Sequence, residues 1–201
     1  MSACLIAFEG GEGSGKSTQA GRLARRLGAV LTREPGGTPL GERIRAVVLD
    51  PSAGLVDPRA EALLMAAARA QHVADVIAPA LERGETVVTD RYIGSSLAYQ
   101  GFGHGLDVDE LATLSDWATG GRPADLVILL SVPSDVAATR LQRPIDRMER
   151  LGKRFHRRVA DGFAALAERD PERWRVVDGV GDIDEVATRV DAAYDAWMAT
   201  R

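Results

Sequence analysis

Short apolar runs that end at glycine or charged turns recur along this chain, separated by longer segments whose apolar residues return every three or four positions. The runs are Leu5-Ile6-Ala7-Phe8, Val30-Leu31-Thr32, Thr86-Val87-Val88-Thr89, Leu126-Val127-Ile128-Leu129-Leu130 and Trp174-Arg175-Val176-Val177. Most lack the polar alternation of a half-exposed strand, so they predict strands buried on both faces. Helical spacing is predicted over about 16–28, 39–49, 58–83, 93–100, 107–119, 134–142 and 148–168, and again at the C-terminal end. Strands alternating with helices predict the α/β class: a five-stranded parallel sheet with helices on both faces, in three layers. No repeat, linker or low-complexity stretch divides residues 1–201, so one domain is expected.

Composition narrows the class without naming a chemistry. Hydrophobic residues make up 45% and charged residues 27%, which argues for a globular core and against disorder. A net charge of -4 gives no global attraction to nucleic acid or to an anionic membrane, so any anion must be bound by local arginine clusters. No apolar run reaches the roughly 18 residues of a membrane span. The one cysteine, Cys4, lies in an apolar run and cannot form an internal disulfide, which suits a reducing cytoplasm. His72, His104 and His156 show no zinc-ligand spacing with it.

The chemistry enters at Gly10-Gly11-Glu12-Gly13-Ser14-Gly15-Lys16-Ser17-Thr18. Residues 10–17 fit G-x-x-x-x-G-K-[ST] between a predicted strand and a predicted helix, the context that makes the pattern specific. Glycines let backbone N–H groups turn inward around a β-phosphate, and the helix that follows adds its positive end. Lys16 is expected to bridge the β- and γ-phosphates of ATP, and the Ser17 hydroxyl to ligate Mg²⁺. A regulatory GTPase would need an N-K-x-D guanine reader, and the chain contains no asparagine. Asp178-Gly179-Val180-Gly181 matches a loose D-x-x-G pattern but follows the last strand, where it carries no switch meaning.

Ligands of such sheets sit at the carboxyl ends of the strands. Arg33 ends one predicted strand and is followed by Glu34-Pro35-Gly36-Gly37; Asp90-Arg91 ends another. Guanidinium groups match phosphate oxygens bidentately, so the two arginines suit a second, monophosphate substrate. Surface ion pairs are the alternative for either one alone. Asp90 is placed either to hold Mg²⁺ through water or to cap the segment after it. Arg140, Arg143 and Arg147 lie in a basic stretch that Pro144 interrupts, which predicts a lid-like turn over about 140–149. Such a stretch would either close over a triphosphate or remain solvated, paired with Asp146 and Glu149.

"FEGGEGSGKST", "TREPGGT", "RAQHV" and "DRYIGSSLAYQG" together resemble bacterial thymidylate kinases, and the resemblance runs over nearly the whole chain. It implies a P-loop nucleoside-monophosphate kinase fold and transfer of the ATP γ-phosphoryl group to dTMP, with Mg²⁺, for dTTP synthesis. It also implies a cytoplasmic homodimer with no nucleic-acid or membrane partner. The alternatives are a nucleotide or nucleoside kinase of altered base preference and a non-catalytic ATP-binding regulator. By resemblance the acceptor pocket comprises Arg33, Met65, Arg69, Arg91, Ser96, Tyr99 and Gln100, with Arg69 reaching the thymine ring. Met65 stands where the family usually has a ring-stacking phenylalanine, and His104 where it usually has arginine. Some family members carry an arginine at the position of Gly13; those without it place the catalytic arginine in the lid. The resemblance therefore assigns catalysis to Lys16, Arg91, Arg143 and Arg147, with Glu12 orienting the acceptor side or a metal-bound water.

Overall fold

The structure is a computed structural model describing residues 3–140 and 146–201. Among these residues five strands form one parallel sheet, β1 (Leu5–Glu9), β2 (Val30–Arg33), β3 (Val87–Asp90), β4 (Leu126–Ser131) and β5 (Trp174–Asp178), in the order β2-β3-β1-β4-β5. The helices are α1 (Lys16–Leu27), α2 (Pro39–Leu49), α3 (Pro58–His72), α4 (Ala78–Glu82), α5 (Ile93–Ser96), α6 (Val108–Thr119), α7 (Ser134–Thr139), α8 (Gly152–Arg169) and α9 (Ile183–Met198).

The central strand explains why its sequence shows no alternation. Ile6 and Phe8 pack with Ala20, Leu23, Val186, Val190 and Trp197 from α1 and α9. Leu5 and Ala7 point the other way, into Val73, Ile77, Ala80, Tyr92 and Val127. Both faces are dry, so every position of β1 is apolar until Glu9 at its end. Local chemistry sets the helix starts. Thr38 caps α2, Asp57 caps α3, Asp107 caps α6, and Asp182 forms a capping box with Glu185 at α9.

Two expected helices carry interruptions. The segment 58–83 contains a π-helical turn at Val73–Ile77 between α3 and α4. Pro79 lies just beyond; it offers no N–H to the preceding turn and its ring pushes the carbonyl four residues back, so the wider turn forms ahead of it. The segment 93–100 is α5 followed by a π-helical turn at Leu97–Gly103, which packs closely on α8. A Cβ on Gly162 of α8 would stand 2.6 Å from the Phe102 ring, so that contact requires glycine. The helix expected over 148–168 starts as a 3₁₀ turn at Glu149–Leu151. Of the helix expected at 134–142, α7 accounts for Ser134–Thr139; residues 141–145, Arg143 among them, lie outside the described residues.

Strand register brings the unusual residues together. Arg33 stands opposite Asp90 across β2 and β3, and Phe8 opposite Asp90 across β1 and β3. β1 lies between β3 and β4, with the strands preceding the crossover on one side of it and those following on the other. The chain passes over it from β3 to β4, which opens the crevice at their carboxyl ends.

Candidate active site

The loop between β1 and α1 enters the helix through Gly15, whose φ of 91° is left-handed, and no side chain caps the first turn. Those N–H groups are left for an anion. Lys16 Nζ donates to Gly11 O at 2.7 Å and to Ser14 Oγ at 3.3 Å. Burial, reinforced by the nearby Arg91 charge, pulls its pKa down to about 8 despite Glu12, Asp90 and Glu9. The Ser17 hydroxyl donates to Asp90 Oδ2. The other Asp90 oxygen, Oδ1, is buried with no hydrogen-bond partner among the described residues. Thr18 is exposed on α1. Gly13 has φ 72°, and a Cβ there would lie 2.4 Å from the Ala137 carbonyl oxygen of α7. An arginine at this place is therefore excluded while α7 keeps its position.

Arg91 joins the loop to the acceptor side. Its Nη1 donates to Gly10 O at 3.1 Å and Ser95 Oγ at 3.0 Å; its Nη2 donates to Glu12 Oε1 and to Tyr99 Oη at 3.2 Å. Tyr99 in turn donates to Glu12 Oε1 at 3.2 Å, and the guanidinium lies over its ring. Arg91 is the one described non-glycine residue at positive φ, 74°. The strain is held by Glu9, whose Oε1 accepts from Tyr92 N and Ser95 N, both at 3.0 Å. Burial pushes the Glu9 carboxyl up to about 7, against the opposing pull of Ser95, Arg91 and Tyr92.

One cavity of about 410 Å³ runs from Glu12, Lys16 and Ser17 past Arg33, Arg45 and Arg91 to Met65, Tyr99 and Gln100. Arg33 sits at its rim, half exposed, its Nη2 donating to Glu42 Oε1 at 2.8 Å and Oε2 at 2.9 Å. Arg45 donates to Pro35 O at 3.0 Å. Its pKa is lowered by burial first and then by Arg33 and Arg91, so three cations converge where only part of their charge is neutralised locally. Such a place favours an anion.

One turn of α3 beyond the cavity-lining Met65, Arg69 is fully buried and is not itself part of the lining. Its Nε donates to Glu34 Oε2 at 2.8 Å, and its Nη2 to Tyr92 O at 3.0 Å and Ser96 Oγ at 2.9 Å. Its Nη1 has no partner among the described residues. Glu34 also meets His72 Nδ1 at 2.9 Å, and His72 Nε2 lies 2.6 Å from Thr32 Oγ1. Ser96 is thus occupied behind the wall, and the serine that lines the cavity with Tyr99 and Gln100 is Ser95. Regular helical spacing groups Ser96 with Tyr99 and Gln100; the π-helical turn widens that spacing and brings Ser95 round instead.

Comparison with known proteins meets this geometry. The family model "Thymidylate kinase" matches residues 8–190. The chain belongs to the thymidylate kinase family. It is 50% identical over 202 residues to a thymidylate kinase of Thermomicrobium roseum, covering 96% of this chain and 95% of that one. It is 45% identical over 207 residues to one from Geobacter sp. (strain M21), covering 96% and 92%. The crystal structure of thymidylate kinase from Ehrlichia chaffeensis superposes with a TM-score of 0.81 at 32% identity, covering 96% of this chain and all of that one.

Measured against the thymidylate kinase pattern, Arg147 as well as Ser96 stands outside the cavity. Arg147 is buried: its Nε donates to Val48 O at 2.7 Å and its Nη2 to Glu61. A guanidinium committed to a buried carboxylate is not available to a transferring phosphoryl group, so the catalytic role expected of Arg147 is withdrawn. Arg143 lies outside the described residues. His104, in place of the family arginine, packs against Phe155 with centroids 4.8 Å apart and the rings tilted by 57°. Arg45, Ser95, Glu9, Glu34 and Glu61 were not singled out from sequence. Arg45 and Arg43 share one helix, and periodicity alone does not tell which of them meets a ligand.

Proposed function

We propose that this protein transfers the γ-phosphoryl group of ATP to dTMP, releasing ADP and dTDP. The observation that carries the reading is the continuity of the cavity from the phosphate loop to the arginine cluster and on to Met65 and Gln100. Lys16 and the loop N–H groups hold the β- and γ-phosphates. Arg33, Arg45 and Arg91 hold the acceptor phosphate, and Glu12 with Tyr99 keeps Arg91 in place. An acceptor phosphate oxygen, already ionised at neutral pH, attacks the γ-phosphorus while the bond to the β–γ bridging oxygen breaks; no base and no covalent enzyme intermediate are needed.

The Ser17 hydroxyl and the unpartnered Asp90 Oδ1 fit a hydrated Mg²⁺ beside the phosphates. Mg²⁺ supplies neutralisation of the triphosphate charge there when bound. Arg143 is our candidate for the positive charge that Gly13 cannot carry. We place the protein in the cytoplasm as a homodimer; no helix among the described residues is long and apolar enough to cross a membrane.

The test is coupled ADP release with ATP, Mg²⁺ and a panel of nucleoside monophosphates. Release with dTMP well above that with purine monophosphates and dCMP is expected. Absence of release with every acceptor overturns the reading.

A further inference from the structure

Glu61, in the first turn of α3, is fully buried and makes no contact with the cavity itself. Its Oε1 accepts from Gln100 Nε2 at 2.7 Å, and its Oε2 from Arg147 Nη2. His104 Nε2 stands 3.3 Å from Oε1. Burial works against ionisation here, but His104, Arg147 and Gln100 outweigh it and hold the carboxyl below its usual range. An ionised carboxylate has no hydrogen to give; it only accepts.

A glutamine amide has a donor end and an acceptor end, and nothing in its shape decides which way it lies. Glu61 decides it: the carboxylate takes the NH₂ end and repels the carbonyl. Gln100 Oε1 is left buried, without a partner among the described residues, on a side chain that lines the cavity beside Met65. One helical turn from Met65, Arg69 is constrained in the same manner. Glu34 takes its Nε, Tyr92 O and Ser96 Oγ take its Nη2, and the Nη1 donor alone is unused.

We infer that Glu61 is a positioning residue for base selectivity, acting through Gln100. By pinning the amide it offers the base an acceptor only, while the unused donor of Arg69 stands one turn of α3 beyond Met65. That pair complements the O4 acceptor and N3–H donor of thymine or uracil. Cytosine presents the opposite order, an N4 amino donor and an N3 acceptor, and meets donor with donor and acceptor with acceptor. A buried mismatch of this kind is strongly disfavoured, because each group has given up water without gaining a partner. The inference rests on the reading that a pyrimidine monophosphate occupies this cavity, and it adds Glu61, Arg147 and His104 to what determines selectivity.

The experiment compares kcat/KM for dTMP and dCMP in the wild type, Glu61→Gln, Gln100→Leu and the double variant. Glutamine at 61 presents either a donor or an acceptor, so the Gln100 amide is free to turn. The dTMP-to-dCMP ratio is expected to fall by about tenfold or more in Glu61→Gln. In the Gln100→Leu background the same change should move the ratio by less than about twofold. Both rates come from one preparation, so the ratio cancels the fraction of folded enzyme. Should Arg147, deprived of its counter-charge, prevent Glu61→Gln from folding, Glu61→Gln/Arg147→Met carries the same comparison. A wild-type ratio in Glu61→Gln overturns the inference, as does an equal fall with and without Gln100. Wild-type enzyme that fails to turn over dTMP overturns the proposed function instead.

Discussion

At the scale of single residues, Lys16 shows how the loop is held ready for its ligand. Burial lowers its pKa from 10.5 to about 8, so in the free protein the ammonium is lost as pH rises through that value. A triphosphate favours the charged form and draws a proton back. ATP affinity is therefore expected to weaken as pH climbs above 8, and binding at about pH 8.5 to take up protons. Titration calorimetry in buffers of differing ionisation enthalpy reads this directly, and Lys16→Met should remove the buffer dependence of the enthalpy. The motif residues Lys16, Ser17, Asp90 and Arg91 could be singled out from the sequence because their spacing is set by backbone geometry at strand ends. Arg45 and Ser95 could not. Their roles depend on which face of a helix meets a cavity, and for Ser95 on a π-helical turn that shifts that face.

At the scale of elements, the end of β1 illustrates a stability cost tied to the turn that carries Arg91. Glu9 fastens Tyr92 N and Ser95 N, and with them the left-handed Arg91. Its pKa is raised from 4.5 to about 7 by burial. Below the lower value the carboxyl is protonated whether the chain is folded or not. Between the two values only the unfolded chain ionises, so folding stability falls as pH rises, by about 3 kcal/mol in all. Above the higher value the contribution is constant. Glu9→Gln cannot titrate, and its stability relative to wild type should increase between about pH 5 and pH 8 in urea denaturation. A pH-independent difference between the two would remove the argument. Strands were readable in the sequence because buried parallel strands are apolar throughout; the caps Thr38, Asp57, Asp107 and Asp182 came only with the structure. The break at Val73–Ile77 was not readable either, although Pro79 marks its place.

At the scale of the whole molecule, the outer surface of α2, α3 and α6 carries Val47, Leu63 and Trp117, exposed at 55%, 58% and 80%. These helices pack side by side, α3 against both others. Exposed apolar groups on neighbouring helices suit burial against a second copy. Sedimentation velocity should show a dimer, and Leu63→Glu/Trp117→Glu should shift it to monomer; a wild-type monomer at micromolar concentration would refute the assignment. The sheet was foreseeable as a whole because its class follows from alternation, whereas the cavity required the register that aligns Arg33 with Asp90. The contact between Gly13 and α7 carries a consequence for descent. A side chain at position 13 and the present seat of Ala137 exclude one another. A lineage can move its catalytic charge into the loop only by displacing α7 in the same or an earlier step. The two features should therefore change together among related chains, and position 13 should record which arrangement each lineage has kept.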